Sequence, residues 1–333
     1  MLGGELALQL ARDGYTDITL PVRNLARLGR LLARMEAERL DPKVLHPVEV
    51  SLSFPEEMRE VLKGAAALFH CAALVDFGDR DCNIVAGNVE ITSTLVDAAL
   101  ECGVGIMVYV SSIAVLGESD PPGAPLTERN PLHSLDGEPP YTVSKFLSEQ
   151  QVRRGMEQGL RAVIVQPSVI LGEGRWRGAG SGAVVRLVSS GLPFFTTGVT
   201  GYVDVRDVAR AMILLFGTEK AVGETFILNG HNVSFKEFIT LAADAAGKPR
   251  PRFKAGRGLL GSLYTVEKIA SLFGYRPRLS RLAVRSATSV THYDGSKVKQ
   301  YINIEYTPFE DTVRRVVKAY LDDKSGGDSS GGR

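Results

Sequence analysis

Residues 66–112 read AALFHCAALVDFGDRDCNIVAGNVEITSTLVDAALECGVGIMVYVSS. The apolar run AALFHCAA has the length and the flanks of a buried strand. NVEITSTLVDAALECG carries its apolar residues at helical spacing and stops at a glycine. GIMVYVSS is a second buried strand that ends in two serines. A strand, a helix and a strand in this order predict two parallel strands joined by a crossover helix.

The alternation extends both ways. Upstream, ELALQLARDG reads as a helix ending at Gly14, DITLPVR as a short strand, and PEEMREVLKG as a helix with acids in its first turn and Lys63 in its last. Downstream, YTVSKFLSEQQVRR follows two prolines as a helix, and LRAVIVQPS is another strand. The fold class is therefore α/β, a doubly wound parallel sheet covered by helices on both faces. Ligands of such sheets lie at the carboxyl ends of the strands. HCAA, SS and PS all fall at those ends. From residue 168 the pattern loosens: GEGRWRGAGSG is a Gly-rich loop, GYVDVRDVARAMILLF returns to the sheet, and residues 229–320 are helical and basic.

Composition limits the function. The chain has 333 residues, of which 44% are hydrophobic and 23% charged, with a net charge of +1. That balance gives no electrostatic footing for nucleic acid or an anionic membrane. The apolar run around AMILLFG is too short to span a bilayer. No secretory leader is visible, and Cys71, Cys82 and Cys102 show neither metal-ligand spacing nor a disulfide framework. A cytoplasmic protein without a metal is expected. The tail from 321 to 333, rich in Gly, Ser and Asp, is expected to be disordered.

Tyr141 and Lys145 stand four residues apart, on one face of the helix that opens at the prolines. A free phenol, with a pKa of about 10, is a poor base at neutral pH. A nearby cation favours the phenolate, so Lys145 is expected to lower the Tyr141 pKa and make it an acid/base group. Ser112, just past the strand IMVYVSS, is the candidate to polarise a substrate oxygen.

HCAALV, NVEITST, YVSSIAVLG, YTVSK, QPSVILG and YVDVRDVA occur in this order along the chain. Together they resemble the extended short-chain dehydrogenase/reductase family, which includes NAD-dependent epimerases and dehydratases. The resemblance reaches to about residue 320. It implies a Rossmann-type sheet at 1–167 and 202–228, with a smaller, partly discontinuous substrate domain at 168–201 and 229–320. It also implies roles. Tyr141 would be the proton donor or acceptor, Lys145 would hold the nicotinamide ribose, and Ser112 would bind the reacting oxygen. Asn88 would support the active-site backbone or a water. Ala72, Ala73, Val110, Ser111, Pro167, Ser168, Val169, Ile170 and Leu52 would line the cofactor. A homodimer through the helices at 90–102 and 141–155 is implied by resemblance alone.

The start departs from the pattern. The family opens with a strand and a Gly-x-x-Gly-x-x-Gly turn whose backbone N–H groups cradle pyrophosphate. Here the chain opens MLGGELALQLARDG, so only the last motif glycine, Gly3, remains and the first strand is missing. A start assigned too late, or a fragment, explains this; a short protein with a damaged phosphate site is the alternative. After the second strand of the pattern, PVRNLARLGR carries Arg23, Arg27 and Arg30, with no acid between Asp17 and Glu36. That favours NADP over NAD. Ser51 replaces the adenine-contacting Asp of the family.

SSIAVLG lacks the Asp-Glu pair of sugar 4,6-dehydratases, and Leu116 stands near where sugar epimerases usually carry a Tyr. SSIAVLG and QPSVILG resemble the dihydroflavonol-reductase and 3β-hydroxysteroid-dehydrogenase branch instead. The expected activity is NAD(P)-dependent interconversion of a secondary alcohol and a ketone on a small molecule. The alternatives are a nucleotide-sugar epimerase using bound NAD and a non-catalytic nucleotide-binding sensor or subunit. FFTTGVTGY and GRWRG are expected to border the substrate pocket, with Trp176 either a lid residue or a packing residue.

Overall fold

A computed structural model of the chain describes residues 1–74, 82–174, 176, 181–256, 258 and 287–328. Most of the basic segment expected to be helical at 256–282, the run Arg276–Arg285 and much of the Gly-rich loop at 172–182 lie outside the described residues.

The first half alternates as its periodicity demands. It runs α1 (Leu2–Arg12), β1 (Ile18–Val22), α2 (Gly29–Ala37), β2 (Leu45–Glu49), α3 (Pro55–Leu62), β3 (Ala67–His70), α4 (Cys82–Glu101), β4 (Ile106–Val110), α5 (Pro140–Glu157) and β5 (Ala162–Pro167). β6 (Val169–Leu171), α6 (Ser181–Val188), β7 (Phe194–Phe195), β8 (Val199–Asp204), α7 (Val205–Phe216), β9 (Thr225–Leu228), β10 (His231–Ser234), α8 (Phe235–Ala245), β11 (Phe253–Lys254) and α9 (Phe309–Asp328) follow.

β3, β4, β5 and β9 form a four-stranded sheet in the order β3-β4-β5-β9, and all its pairings are parallel. Each strand alternates its side chains between two cores, as a sheet buried on both faces must. Ile106, Val108 and Val110 of β4 pack with α1 and α7 through Leu6, Leu10, Val208 and Met212. Met107 and Tyr109 point the other way, among Met58, Leu95, Val96 and Val152 of α3, α4 and α5. A Cβ at Gly155 would stand 2.5 Å from Val96 Cγ1, so glycine is what lets α5 lie against α4.

β1 and β2 form a separate parallel pair, in register from Ile18 opposite Leu45 to Val22 opposite Glu49. Among the described residues no ladder joins β1 to β3, so the sheet comes in two pieces. Side-chain packing bridges them: Ile18 and Leu45 share one core with Val108 and Val163. Pro47 is tolerated in β2 because that strand pairs on one side only.

A second sheet, ordered β10-β8-β6, is parallel between β6 and β8 and antiparallel between β8 and β10. Leu171, Tyr202, Phe238, Phe309 and Val313 pack over it. One expectation is corrected here. Residues 321–328, expected to be disordered, continue the helix α9. Asp323 holds that end in place: it accepts from Trp176 Nε1 at 2.6 Å and pairs with Arg30 at 2.9 Å.

Candidate active site

The carboxyl ends of β3, β4 and β5 supply one edge of the site. Past Val110 the backbone continues to pair, with Ser111 N–H donating to Val165 O at 2.8 Å. Ser112 then caps a short 3-10 turn, its Oγ accepting from Ala114 N–H at 3.1 Å. The cap fixes the hydroxyl of a residue only 9% exposed.

α5 begins at Pro140, whose missing N–H and preset φ suit the first turn of a helix. Tyr141 follows in that turn, half-buried and beside the Ser112 hydroxyl. Burial pushes the phenol pKa up, and the neighbouring Ser112 hydroxyl opposes it. The lowered phenol pKa expected from Lys145 is therefore not what the structure gives. The Lys145 ammonium is directed to the sheet instead. Its Nζ donates to Val110 O at 2.9 Å and lies 5.6 Å from the centroid of the Tyr109 ring. Burial brings the Lys145 pKa down to about 8, with Cys71 and Glu149 acting against that shift.

Asn88, on α4, is fully engaged. Its Oδ1 accepts from Leu74 N–H at 2.7 Å, and its Nδ2 donates to Leu74 O at 2.9 Å and to Ser144 Oγ at 3.2 Å. Ser144 in turn donates to the Tyr141 carbonyl at 2.8 Å. Behind Asn88, Thr92 Oγ1 donates to Asn88 O at 2.8 Å and sits 3.1 Å from His70 Nε2. Because the Thr92 proton is already committed, the network assigns the His70 proton to Nε2. Burial, then Lys145, pulls the His70 pKa down to about 3, so the ring is neutral.

Lys145 is thus joined to Val110, Ser112 lies beside the Tyr141 phenol, and Asn88 is joined to the Tyr141 backbone through Ser144. Ala72 and Ala73 continue from β3, exposed and half-buried. Gly3, in the first turn of α1, is a neighbour of the β3 end: a Cβ on it would lie 3.7 Å from Cys71 Cβ. The Cys71 thiol is pushed up to about 12 by burial. Pro167, Ser168, Val169 and Ile170 lead from β5 into β6, and both Ser168 N–H and Ser168 Oγ donate to Leu228 O. Arg23 and Leu52 follow β1 and β2 in the chain. Arg23 is exposed, while Leu52 packs half-buried on the α3/α4 core.

These residues fit a dinucleotide. The N-terminus of α1 opens beside the β3 end, and a Cβ at Gly4 would meet nothing. The buried Ser111 hydroxyl has no partner among the described residues. A helix start with open backbone is suited to phosphate.

Two placements were not readable in the sequence. Arg30, grouped with Arg23 and Arg27, is held by Gly174 O at 2.5 Å and by Asp323. Glu49, remote in sequence, brings a carboxylate to the β1 end, where it accepts from Leu25 N–H at 3.2 Å. Its place opposite Val22 in a parallel register is the only signal that could have found it. Trp176 is buried, edge-on to Tyr320, in keeping with the packing alternative.

The family model described as NAD dependent epimerase/dehydratase matches residues 1–229. The chain belongs to this family. A protein of Synechocystis sp. provisionally named dihydroflavonol 4-reductase is 25% identical over 78% of each chain. The UDP-glucose 4-epimerase of Vibrio cholerae is 26% identical over 69% of this chain and 70% of its own. The crystal structure of gox2253 superposes with a TM-score of 0.79 at 26% identity, covering 97% of this chain and 96% of that one. In the epimerase/dehydratase family the core is a Rossmann-type α/β fold, and this chain has it. Relatives that are reductases and epimerases support a nicotinamide-dependent oxidoreductase in general terms. No helix among the described residues is long and apolar enough to cross a membrane.

Proposed function

We propose that the protein interconverts a secondary alcohol and a ketone on a small molecule, with Tyr141 as the proton carrier. The observation that carries this reading is the placement of the Ser112 hydroxyl, at the end of β4, beside the Tyr141 phenol, with the Lys145 ammonium one helical turn away and bound to Val110 O. A nicotinamide held at the strand ends supplies or accepts the hydride. In the reducing direction Ser112 holds the carbonyl oxygen and Tyr141 delivers a proton to it. Lys145 carries the compensating positive charge beside the phenolate that remains. Asn88 and Ser144 keep the first turn of α5 and the loop after β3 in one frame.

The exposed Arg23 and Arg27 favour NADP, the cofactor with the additional phosphate. Glu49 is the opposing charge at that loop, and Arg30 is already committed to Asp323. A second reading, epimerisation of a nucleotide sugar, is favoured by the similarity to the Vibrio cholerae enzyme. One assay separates them. Net oxidation of added NADPH or NADH over a panel of ketones supports the reductase. Turnover of a nucleotide sugar with no net change in nicotinamide absorbance supports the epimerase.

A further inference from the structure

We propose that Tyr109 is a positioning residue for this reaction: its ring face seats the Lys145 ammonium and keeps it charged one turn from Tyr141. The inference rests on the reading of Tyr141 and Lys145 as the proton-handling pair. It starts from a problem of charge. Lys145 is 6% exposed, and an ammonium taken out of water needs compensation. Among the described residues no carboxylate forms an ion pair with it. Glu149, the next acid along α5, is bound instead by Arg153 Nη2 at 2.7 Å and Gln166 Nε2 at 3.0 Å.

The other groups around Lys145 supply little negative charge. His70, at the end of β3, is neutral, and the Cys71 thiol stays protonated. The Tyr141 phenol on its own helix is pushed up as well. Beside the charge of Glu149, which acts from the next turn of α5, two close contacts among the described residues compensate the ammonium: the Val110 carbonyl at 2.9 Å and the Tyr109 ring at 5.6 Å. An aromatic face at that distance attracts a cation, and more strongly when water is excluded. Tyr109 is 1% exposed and faces α5 because β4 alternates. His70 braces it from the side, with ring centroids 5.4 Å apart.

A residue that only filled the core would be equally dispensable to Lys145 as phenylalanine or as leucine. The test reads Lys145 itself, using lysine labelled with carbon-13 at Cε. The Lys145 signal is identified among the twelve lysines by its loss in Lys145→Arg. Tyr109→Phe keeps the ring and is expected to leave the Lys145 titration midpoint in place. Tyr109→Leu is expected to lower it by about one pH unit. A folded Tyr109→Leu protein with an unchanged midpoint overturns the proposal, as does a Phe variant that shifts as far as Leu. If the Leu variant does not fold, the unsubstituted protein decides. The Lys145 ε-protons, lying over a ring, must resonate upfield of those of the other lysines, and coincidence with them overturns the proposal. Neither readout needs turnover. A protein that reduces no ketone would refute the reductase reading and leave this result standing.

Discussion

The side-chain amide of Asn88 donates to the hydroxyl of Ser144 across 3.2 Å, from α4 to α5. Through that bond the loop after β3, which Asn88 grips at both polar atoms of Leu74, is tied to the turn that carries Tyr141. The loop after β3 and the first turn of α5 are therefore held to each other by side-chain hydrogen bonds.

Replacing Asn88 by Ala leaves the N–H and C=O of Leu74 and the Ser144 hydroxyl short of partners. Unfolding in urea is expected to show a loss of about 1–3 kcal/mol. Dinucleotide affinity should fall with it, because Ala72 and Ala73 lose their anchor. Stability equal to that of the parent chain would show that the contacts contribute nothing.

Trp176 is the single tryptophan of the chain, so its emission reports one place. Asp323→Ala removes the acceptor of its indole N–H and the partner of Arg30. A red-shifted emission and a loss of about 1–2 kcal/mol are expected. Unchanged emission would mean that α9 does not hold the indole.

Glu49 and Arg23 set opposite charges at the end of the β1/β2 pair. Arg23→Ala should weaken NADPH binding by roughly fivefold and leave NADH nearly unaffected. Glu49→Gln should shift the ratio of the two affinities toward NADPH. The titrations follow nicotinamide fluorescence, and an equal change for both cofactors in either variant would count against NADP recognition at this loop.

The parallel sheet was legible because β3, β4 and β5 are continuous apolar runs with a long periodic helix between the first two. The proposed Ser112, Tyr141 and Lys145 group was nameable from the sequence because Tyr141 and Lys145 are local to one helix and Ser112 ends a strand. β2 was not read, since Pro47 interrupts its pattern, and α2 was hidden behind the arginines that drew attention to its charge. The direction of Lys145 could not be foreseen either: helix spacing pairs it with Tyr141, but only the packing of α5 on β4 brings Val110 O and the Tyr109 ring to its ammonium. Glu49 and Asp323 act across long sequence separations, where local pattern carries no information.

His70 adds an acid limit to stability. Its folded pKa of about 3 lies below the ordinary 6.5, so the fold keeps the ring neutral while the unfolded chain takes up a proton. The contribution is complete above pH 6.5 and is lost as the pH falls toward 3. Relative to His70→Gln, the parent chain should lose about 3 kcal/mol between neutrality and about pH 4.5. Parallel stability curves for the two proteins would contradict a buried neutral ring.

The most direct test of the account is Tyr141→Phe, assayed on whichever ketone of the panel the unsubstituted protein reduces with NADPH or NADH. The substitution keeps the ring and removes only the proton carrier. The account predicts a fall in kcat of about 100- to 10,000-fold, with nicotinamide binding retained. Turnover at the parent rate would contradict it.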